Sequence, residues 1–389
     1  MSKKIIIGNG AAGNAALEEI LKSQESHHVT VISSEPTPAY YRPMLSEYLS
    51  EAKLPKRFYL HELSWYSDNH VDFINGKTVT EIHPDTNQVS IGTQKLHYDV
   101  LILATGSNNF IPPMPGADLE NVISLRTLED AETIKQMAMK AKKTAIIGGG
   151  LLGLELGWQL IKAGLSVDVI EMMDRLLPRQ LDPEASEIFE QKVEAAGIHV
   201  IKGVQTKAVL GDTKAESVEL GNGATIEADF VAFSIGVRAD IKLAKAAGIK
   251  TDRGICVDDH MRTNYENIFA AGDCAEFKGI NYAIWPEATD QGKIAGLNAI
   301  GKRAVYDPIV PFNIYSGMNM RLFSIGDVGG NPGLNYETHK NQDDTHFEKY
   351  YFVDDVIVGG ILLDDISKSA KLKKALLSKT HKSEFLGSL

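Results

Sequence analysis

Two stretches of the chain repeat one pattern. A β-branched run predicts a strand, a glycine-rich turn follows, and an apolar segment of helical spacing comes next. The first reads Ile5-Ile6-Ile7-Gly8-Asn9-Gly10-Ala11-Ala12-Gly13. The second reads Ala145-Ile146-Ile147-Gly148-Gly149-Gly150-Leu151-Leu152-Gly153, with its first glycine 140 residues after that of the first. Around the first copy, residues 1 to about 108 predict β-α-β, then a helical stretch, then strands. Residues 78–82 and 88–91 alternate like a small antiparallel sheet, and 98–103 form a buried strand leading into Ala104-Thr105-Gly106. The proline-rich run at 111–116 is a natural domain junction.

From about 117 to 236 the second βαβ unit appears. Its helix, 151–163, ends at a glycine C-cap, Gly164, and a strand at 230–235 closes the unit at Gly236. A further strand, 267–271, ends in Gly272-Asp273, with a helix from about Thr289. After Asp307-Pro308 short strands alternate apolar and polar, as at 321–325 and 356–363. A helix carrying Lys368, Lys371, Lys373 and Lys374 closes the chain.

Each glycine-rich turn has a physical reading. The first glycine makes the tight turn, the second lets the backbone approach a pyrophosphate, and the third lets helix pack on strand. The helix N-terminus then directs free N–H groups and partial positive charge at the phosphates. An acid about 20 positions on is expected to hold ribose hydroxyls. Glu35 ends the strand 29–32 and Glu171 the strand 167–170, so both copies have one. Two such units predict two dinucleotides bound at once, and the usual reason is to pass electrons from one to the other.

Composition narrows the partners. The 389 residues suffice for two or three domains, and 43% hydrophobic with 23% charged residues is ordinary for a soluble protein. The net charge of −11 argues against nucleic acid and against an anionic membrane surface. Neither an 18-residue apolar run nor a signal peptide is visible, which predicts a cytoplasmic protein. The two cysteines, Cys256 and Cys274, form no redox or disulfide motif and read as core residues. No histidine or cysteine spacing suggests a metal.

The order of motifs is fingerprint, Ala-Thr-Gly, second fingerprint, Gly236, then Ala270-Ala271-Gly272-Asp273. It resembles the FAD/NAD(P)H pyridine-nucleotide reductase family along residues 1 to 303. The resemblance implies an α/β fold of two Rossmann-like, three-layer nucleotide-binding domains. The NAD domain (111–236) would be inserted in the FAD domain (1–110 and 237–305), with a small C-terminal α+β domain at 306–389. The segment Ala39-Tyr40-Tyr41-Arg42-Pro43-Met44-Leu45-Ser46 is similar to the Y-x-R-P-x-L-S of rubredoxin reductases, ferredoxin reductases and nitrite reductase large subunits. The overall resemblance is strongest to the NADH:rubredoxin oxidoreductases of anaerobic bacteria.

The resemblance implies the following sites. FAD would contact Gly8, Gly10, Ala12 and Gly13, then Ser34 and Glu35, with Arg42 pairing with its phosphates and Pro43 stiffening the chain beside its ring. Val79, Ala104, Thr105 and Gly106 would follow, then Gly272 with Asp273 at the ribityl and pyrophosphate region. Ile284 and Trp285 would pass the ring, although Trp285 equally fits a core position. NAD would contact Gly148, Gly150, Leu151, Leu152, Gly153, Glu171 and Gly236. Glu155, placed on the first turn of its helix, would approach flavin and nicotinamide; a helix N-terminal acid favoured by the dipole is the plain alternative.

Two departures bear on mechanism. No cysteine lies between Met1 and Ile255, which removes a dithiol, sulfenate or CoA-disulfide route. Ferredoxin reductases often continue L-S-K, with the lysine near flavin N5, but Glu47 follows Ser46 here. No protein acid or nucleophile is required as a catalytic residue, because the flavin carries the chemistry. Glu171 beside the adenosine ribose would oppose a 2′-phosphate by about 3 kcal/mol at roughly 5 Å and an effective dielectric near 20. Met172 and Met173 follow it, not arginines, and Arg175 fits a salt bridge as well as a phosphate contact, so NADH is the expected reductant.

The expected reaction takes hydride from NADH and passes electrons singly to rubredoxin or a similar small iron–sulfur carrier. An acidic protein would meet an acidic carrier through a local basic patch, with Lys53, Lys56, Arg57 and the C-terminal lysines as candidates. Alternatives are flavorubredoxin, ferredoxin or oxygen as acceptor, or a flavoprotein that senses NADH without turnover. Either a monomer or a homodimer is compatible.

Overall fold

The structure is a computed structural model that describes residues 2–23, 27–343 and 345–389. The chain divides into two compact units. One comprises Met1–Met44, Leu54–Asn108 and Val237–Ile309; the other comprises Leu45–Lys53, Asn109–Gly236 and Val310–Leu389.

The first unit is built on a five-stranded parallel sheet. Its spatial order is Ile268–Ala270, Val100–Leu103, Ser2–Ile7, His27–Ile32, Val71–Ile74. The apolar runs become central strands because both faces are covered. One face is packed by the helices Ala11–Leu21 and Trp285–Ala299, the other by the three-stranded sheet of Glu81–His83, Gln88–Ile91 and Gln94–His97 with its neighbours. The two helices meet backbone to backbone: a Cβ at Gly292 would lie 2.2 Å from the carbonyl oxygen of Ala12, and one at Gly296 would lie 2.6 Å from that of Ala16. Glycine at these sites is what lets them approach.

The second unit repeats the parallel sheet in the order Ile198–Lys202, Ser166–Glu171, Lys143–Ile147, Phe230–Phe233, Val122–Ile123. The helices Leu151–Lys162 and Pro183–Ala195 cover one face, and the other packs the three strands from Thr206 to Glu227. The same unit holds an antiparallel sheet in the order Phe312–Gly317, Met320–Gly326, Val356–Leu363, Phe347–Val353, Glu337–Gln342. The helices Ser369–Leu377 and Lys382–Ser388 pack on one of its faces. Its other face meets the nucleotide-fold part of the unit: Ser324 Oγ donates to the carbonyl of Gln180 at 2.6 Å, and Phe189 meets Tyr315 edge-on at 5.9 Å. Lys349 Nζ bridges Asp182 at 2.5 Å and Glu184 at 3.0 Å.

Several element boundaries differ from the sequence reading. The last long helix of the first unit starts at Trp285, not near Thr289, because Pro286 is suited to a first helical turn. Residues 78–80 make no strand, and pairing starts at Glu81. The closing strand stops at Phe233, ahead of Ser234-Ile235. The lysine-rich tail is two helices separated by a turn, not one. Cys274 is buried as expected, its thiol donating to the carbonyls of Leu103 and Ala271, whereas Cys256 lies in the strand Ile255–Val257 but is only half-buried, not a core residue. No helix among the described residues is long and apolar enough to cross a membrane.

Candidate functional site

The first fingerprint sits where its sheet reverses order. Ser2–Ile7 has Val100–Leu103 on one side and His27–Ile32 on the other, so Gly8 and Ala104 stand side by side at the carboxyl ends of these strands, the place where open parallel sheets take ligands. The glycines there are not equivalent. A Cβ at Gly8 would lie 2.0 Å from the carbonyl oxygen of Ala104, and one at Gly13 would lie 2.0 Å from that of Gly8, whereas one at Gly10 would meet nothing within 4 Å. Two glycines are therefore demanded by packing, and the middle one faces open space. Gly10 is also the N-cap of the helix Ala11–Leu21, with no side-chain cap.

The second fingerprint has the same anatomy. Cβ atoms at Gly148 and Gly153 would meet carbonyl oxygens at 2.3 and 2.1 Å, while one at Gly150 would meet nothing within 4 Å. Gly150 caps the helix Leu151–Lys162 with no side-chain hydrogen bond. The helices Leu128–Ala138 and Pro183–Ala195 are capped by the side chains of Thr127 and Asp182, while others, Trp285–Ala299 among them, are not. Side-chain caps typically stabilise by about 1 kcal/mol. Leaving both nucleotide helices without one preserves their N–H groups for an anion. This fits FAD at the first copy and a nicotinamide dinucleotide at the second.

Around the first copy the structure gathers most of the expected FAD residues within one unit. Asn9 Nδ2 donates to the hydroxyl of Tyr66 at 2.8 Å, and that oxygen also accepts from the N–H of Ala39, which ties the glycine turn to the Tyr40–Arg42 segment. Tyr41 packs edge-on against Trp285 at 4.8 Å, so Trp285 sits beside that segment as the first residue of its helix, with Ile284 as N-cap. Asp273 accepts from Ser107 Oγ at 2.8 Å, next to the Ala104-Thr105-Gly106 turn, where Thr105 Oγ1 donates to the carbonyl of Asp240. Ser34 and Pro43 are exposed, and Val79 is buried in the core on the far face of the sheet.

Two of these residues were expected to face the cofactor separately and instead pair with each other. Arg42 Nη2 bridges Glu35 Oε1 at 2.7 Å, and the hydroxyl of Tyr40 donates to Glu35 Oε2 at 2.6 Å. The reason is electrostatic. Burial works against the Arg42 charge, but Tyr40, Glu35 and Asp273 outweigh it, so its pKa lies above the ordinary guanidinium value. No local sequence signal links positions 35 and 42; only the returning chain brings them together.

In the second copy Glu171 is held by two backbone N–H groups. Its Oε2 accepts from the N–H of Gly149 and its Oε1 from that of Met173, both at 2.8 Å. Met172 is exposed, and Arg175 bridges Asp174 at 3.3 Å, which is the salt-bridge alternative for that arginine. Leu152 is exposed on the first helical turn, and Gly236, at φ +99°, accepts from the N–H of Phe110.

Glu155 lies on the second turn of its helix, not the first. Burial pushes its carboxyl up to about 7, partly offset by the hydroxyl of Ser46 at 3.4 Å. Sequence reasoning missed its neighbour Tyr315, whose ring is buried in the antiparallel sheet and whose acidity Glu155 helps to suppress. Glu47 is exposed on the short helix Leu45–Tyr48. Of the candidate basic patch, Lys53, Lys56 and Arg57 are exposed, whereas Lys368 bridges Glu348 and Lys373 lies 3.3 Å over the ring of Phe312.

Comparison with known proteins adds an independent line. Residues 2–292 match the pyridine nucleotide-disulphide oxidoreductase profile, and residues 311–380 match the rubredoxin NAD+ reductase C-terminal domain. The chain is 33% identical to a nitrite reductase [NAD(P)H] of Bacillus subtilis over 99% of its own length but only 49% of that protein, so it spans about half of this curated relative. It is 31% identical to an NADH-rubredoxin oxidoreductase of Clostridium acetobutylicum, over 96% of this chain and 94% of that one. The crystal structure of NADH:rubredoxin oxidoreductase from Clostridium acetobutylicum superposes with a TM-score of 0.84 at 29% identity, covering 100% of both chains.

Proposed function

The chain belongs to the pyridine nucleotide–disulphide oxidoreductase family, and from that premise we propose that it takes hydride from NADH and passes electrons singly to rubredoxin or a similar small electron carrier. Family membership makes it an oxidoreductase, and FAD is the family's cofactor. The observation that carries the reading is the pair of strand–glycine turn–helix units, each with two glycines fixed by close packing and a middle glycine that faces open space.

When bound, FAD supplies the exchange between a two-electron donor and one-electron acceptors. The protein's work is to bind, orient and exclude. The helix beginning at Ala11, with Gly10 before it, would receive the FAD pyrophosphate, and Arg42 would set positive charge beside it. Asp273, steadied by Ser107, would hold ribityl hydroxyls. The helix beginning at Leu151 would receive the nicotinamide dinucleotide, and Glu171 would accept from its ribose and disfavour a 2′-phosphate. Burial raises the Glu155 carboxyl to about 7, so it can take up or give a proton near neutrality. With one thiol buried and hydrogen-bonded and the other in a strand, neither cysteine is arranged as a relay, which supports direct transfer outward. Cytoplasmic location, like the choice of rubredoxin, belongs to this proposal.

The test is a visible spectrum of the purified protein, an anaerobic NADH titration, and then addition of rubredoxin. A flavin spectrum that bleaches with one equivalent of NADH and recovers with two of rubredoxin is expected. Bleaching without recovery would remove rubredoxin and leave flavorubredoxin, ferredoxin, oxygen or a nitrite-reducing partner to be tried. The resemblance to half of a nitrite reductase favours the last of these as second reading.

A further inference from the structure

Glu287 is 1% exposed, in the first turn of the helix Trp285–Ala299. Its Oε1 accepts from the backbone N–H of Ile309 at 2.9 Å, and its Oε2 accepts from the hydroxyl of Tyr306. The same hydroxyl accepts from Gln291 Nε2 at 3.2 Å, and Gln291 Oε1 accepts from the N–H of Gly272 at 2.9 Å. Gln291 and Tyr306 are 2% and 3% exposed. A carboxyl group, a phenol and a carboxamide thus satisfy one another in the buried interior, with a backbone N–H at each end.

Helix packing alone does not call for such groups. Well-packed apolar residues serve a core at least as well as a buried charge. What the polar chain does is join two places. One end is Gly272, whose φ of +81° and close fit under Ala12 leave the loop little freedom. The next residue is Asp273, which accepts from Ser107 and adds its field to Arg42. The other end is 306–309, part of the 293–310 stretch between the two family matches.

We propose that Glu287, Gln291 and Tyr306 are positioning residues that fix the Gly272-Asp273 loop for the flavin chain and make the 306–309 linker part of the flavin site; this rests on the FAD reading above. Glu287 acts through Tyr306 and Gln291, and through them on the direction of the Gly272 N–H. Loosening the linker therefore loosens the cofactor, not only the fold.

The test uses the full chain with FAD bound. The rate of FAD release on dilution is followed by the rise of free-flavin fluorescence, beside the melting midpoint of the stripped protein. Tyr306→Phe, which removes one hydroxyl, and Gln291→Ala should each release FAD roughly tenfold faster, the size expected when one buried hydrogen bond is lost. Glu287→Gln keeps an acceptor and should fall between these and the wild type. Leu372→Ala, on the buried face of the helix Ser369–Leu377, is the control. It should lower the melting midpoint at least as much and leave FAD release unchanged. Release at the wild-type rate from both Tyr306→Phe and Gln291→Ala would overturn the proposal, as would equal acceleration by Leu372→Ala. A wild type that takes up no FAD would instead overturn the cofactor reading itself. Should Gln291→Ala fail to fold, Tyr306→Phe still decides.

Discussion

The two fingerprint copies share a glycine code and differ in what stands behind it. The first nucleotide helix is backed by another helix at backbone contact, with Gly292 and Gly296 under Ala12 and Ala16. The second is backed by a short polar strap. Ser46 Oγ donates to Glu155 and Ser50 Oγ to Gln159 at 2.6 Å, while the hydroxyl of Tyr48 donates to Glu132 on the neighbouring helix. The acids differ in the same sense. Glu35 is tied up by two side chains, Tyr40 and Arg42, whereas Glu171 rests on two backbone N–H groups. Close packing and a charged cluster suit a ligand that stays; polar ties that can be exchanged suit one that comes and goes.

The most drastic way to break this comparison is to fill the two open glycines in turn. Gly10 has φ −83° and Gly150 φ −77°, conformations any residue adopts, and neither Cβ meets an obstacle. Gly10→Val should therefore fold and yet lose FAD, with affinity falling on the order of a hundredfold or more. Gly150→Val should remain flavin-loaded and lose NADH, visible as a large rise in KM with the spectrum intact. Spectral and kinetic titrations of both variants check this; two variants with the same defect would mean the copies are not assigned to different nucleotides.

A second test concerns the acids. Glu171→Ala combined with Met172→Arg removes the opposing charge and adds a phosphate partner. The preference for NADH over NADPH should shift by about a hundredfold, from the ~3 kcal/mol repulsion at close range. Competition kinetics with the two nucleotides measure it, and an unchanged ratio would deny Glu171 its role. At the first copy, breaking the Glu35–Arg42 pair by Arg42→Met should leave nicotinamide preference alone and weaken FAD retention instead.

The strap offers a smaller effect. Ser50→Ala removes one hydrogen bond to Gln159 and should destabilise that contact by about 1 kcal/mol. KM for NADH should rise a few-fold while FAD content stays the same. Loss of FAD with unchanged KM would reverse the assignment of strap and helix.

How much of this was legible in the sequence follows from how local each feature is. The fingerprints, the central strands and the short alternating strands after Asp307-Pro308 rest on neighbouring residues and were readable from periodicity. The helix at Trp285 was misread at its start because Pro286 was not taken as a first-turn residue, a signal that was present. Other features carry no local signal. Glu35 meets Arg42 across a chain return, Ser46 meets Glu155 across 109 positions, and Glu287 takes its partners from a later linker. Side-chain partners of this kind depend on tertiary packing, which no short motif encodes.

The smallest effect separates the copies at one matched position. Counting from the first glycine, Glu155 corresponds to Ala15, a buried alanine. Burial raises the folded-state carboxyl of Glu155 to about 7 from an ordinary 4.5. A carboxyl raised in this way favours folding fully below its unfolded value and loses that contribution as pH climbs through the folded one. Wild type and Glu155→Gln should then melt together at about pH 3.5, below the unfolded value, where the carboxyl is neutral in both states. From pH 5 to 8 the wild type should fall progressively behind, by a few degrees at most because the group is only half-buried. Melting curves across that range check the sign. If the wild type gained on the variant as pH rose, the carboxylate would be paired in the fold, and the second copy would hold a charge where the first holds only an alanine.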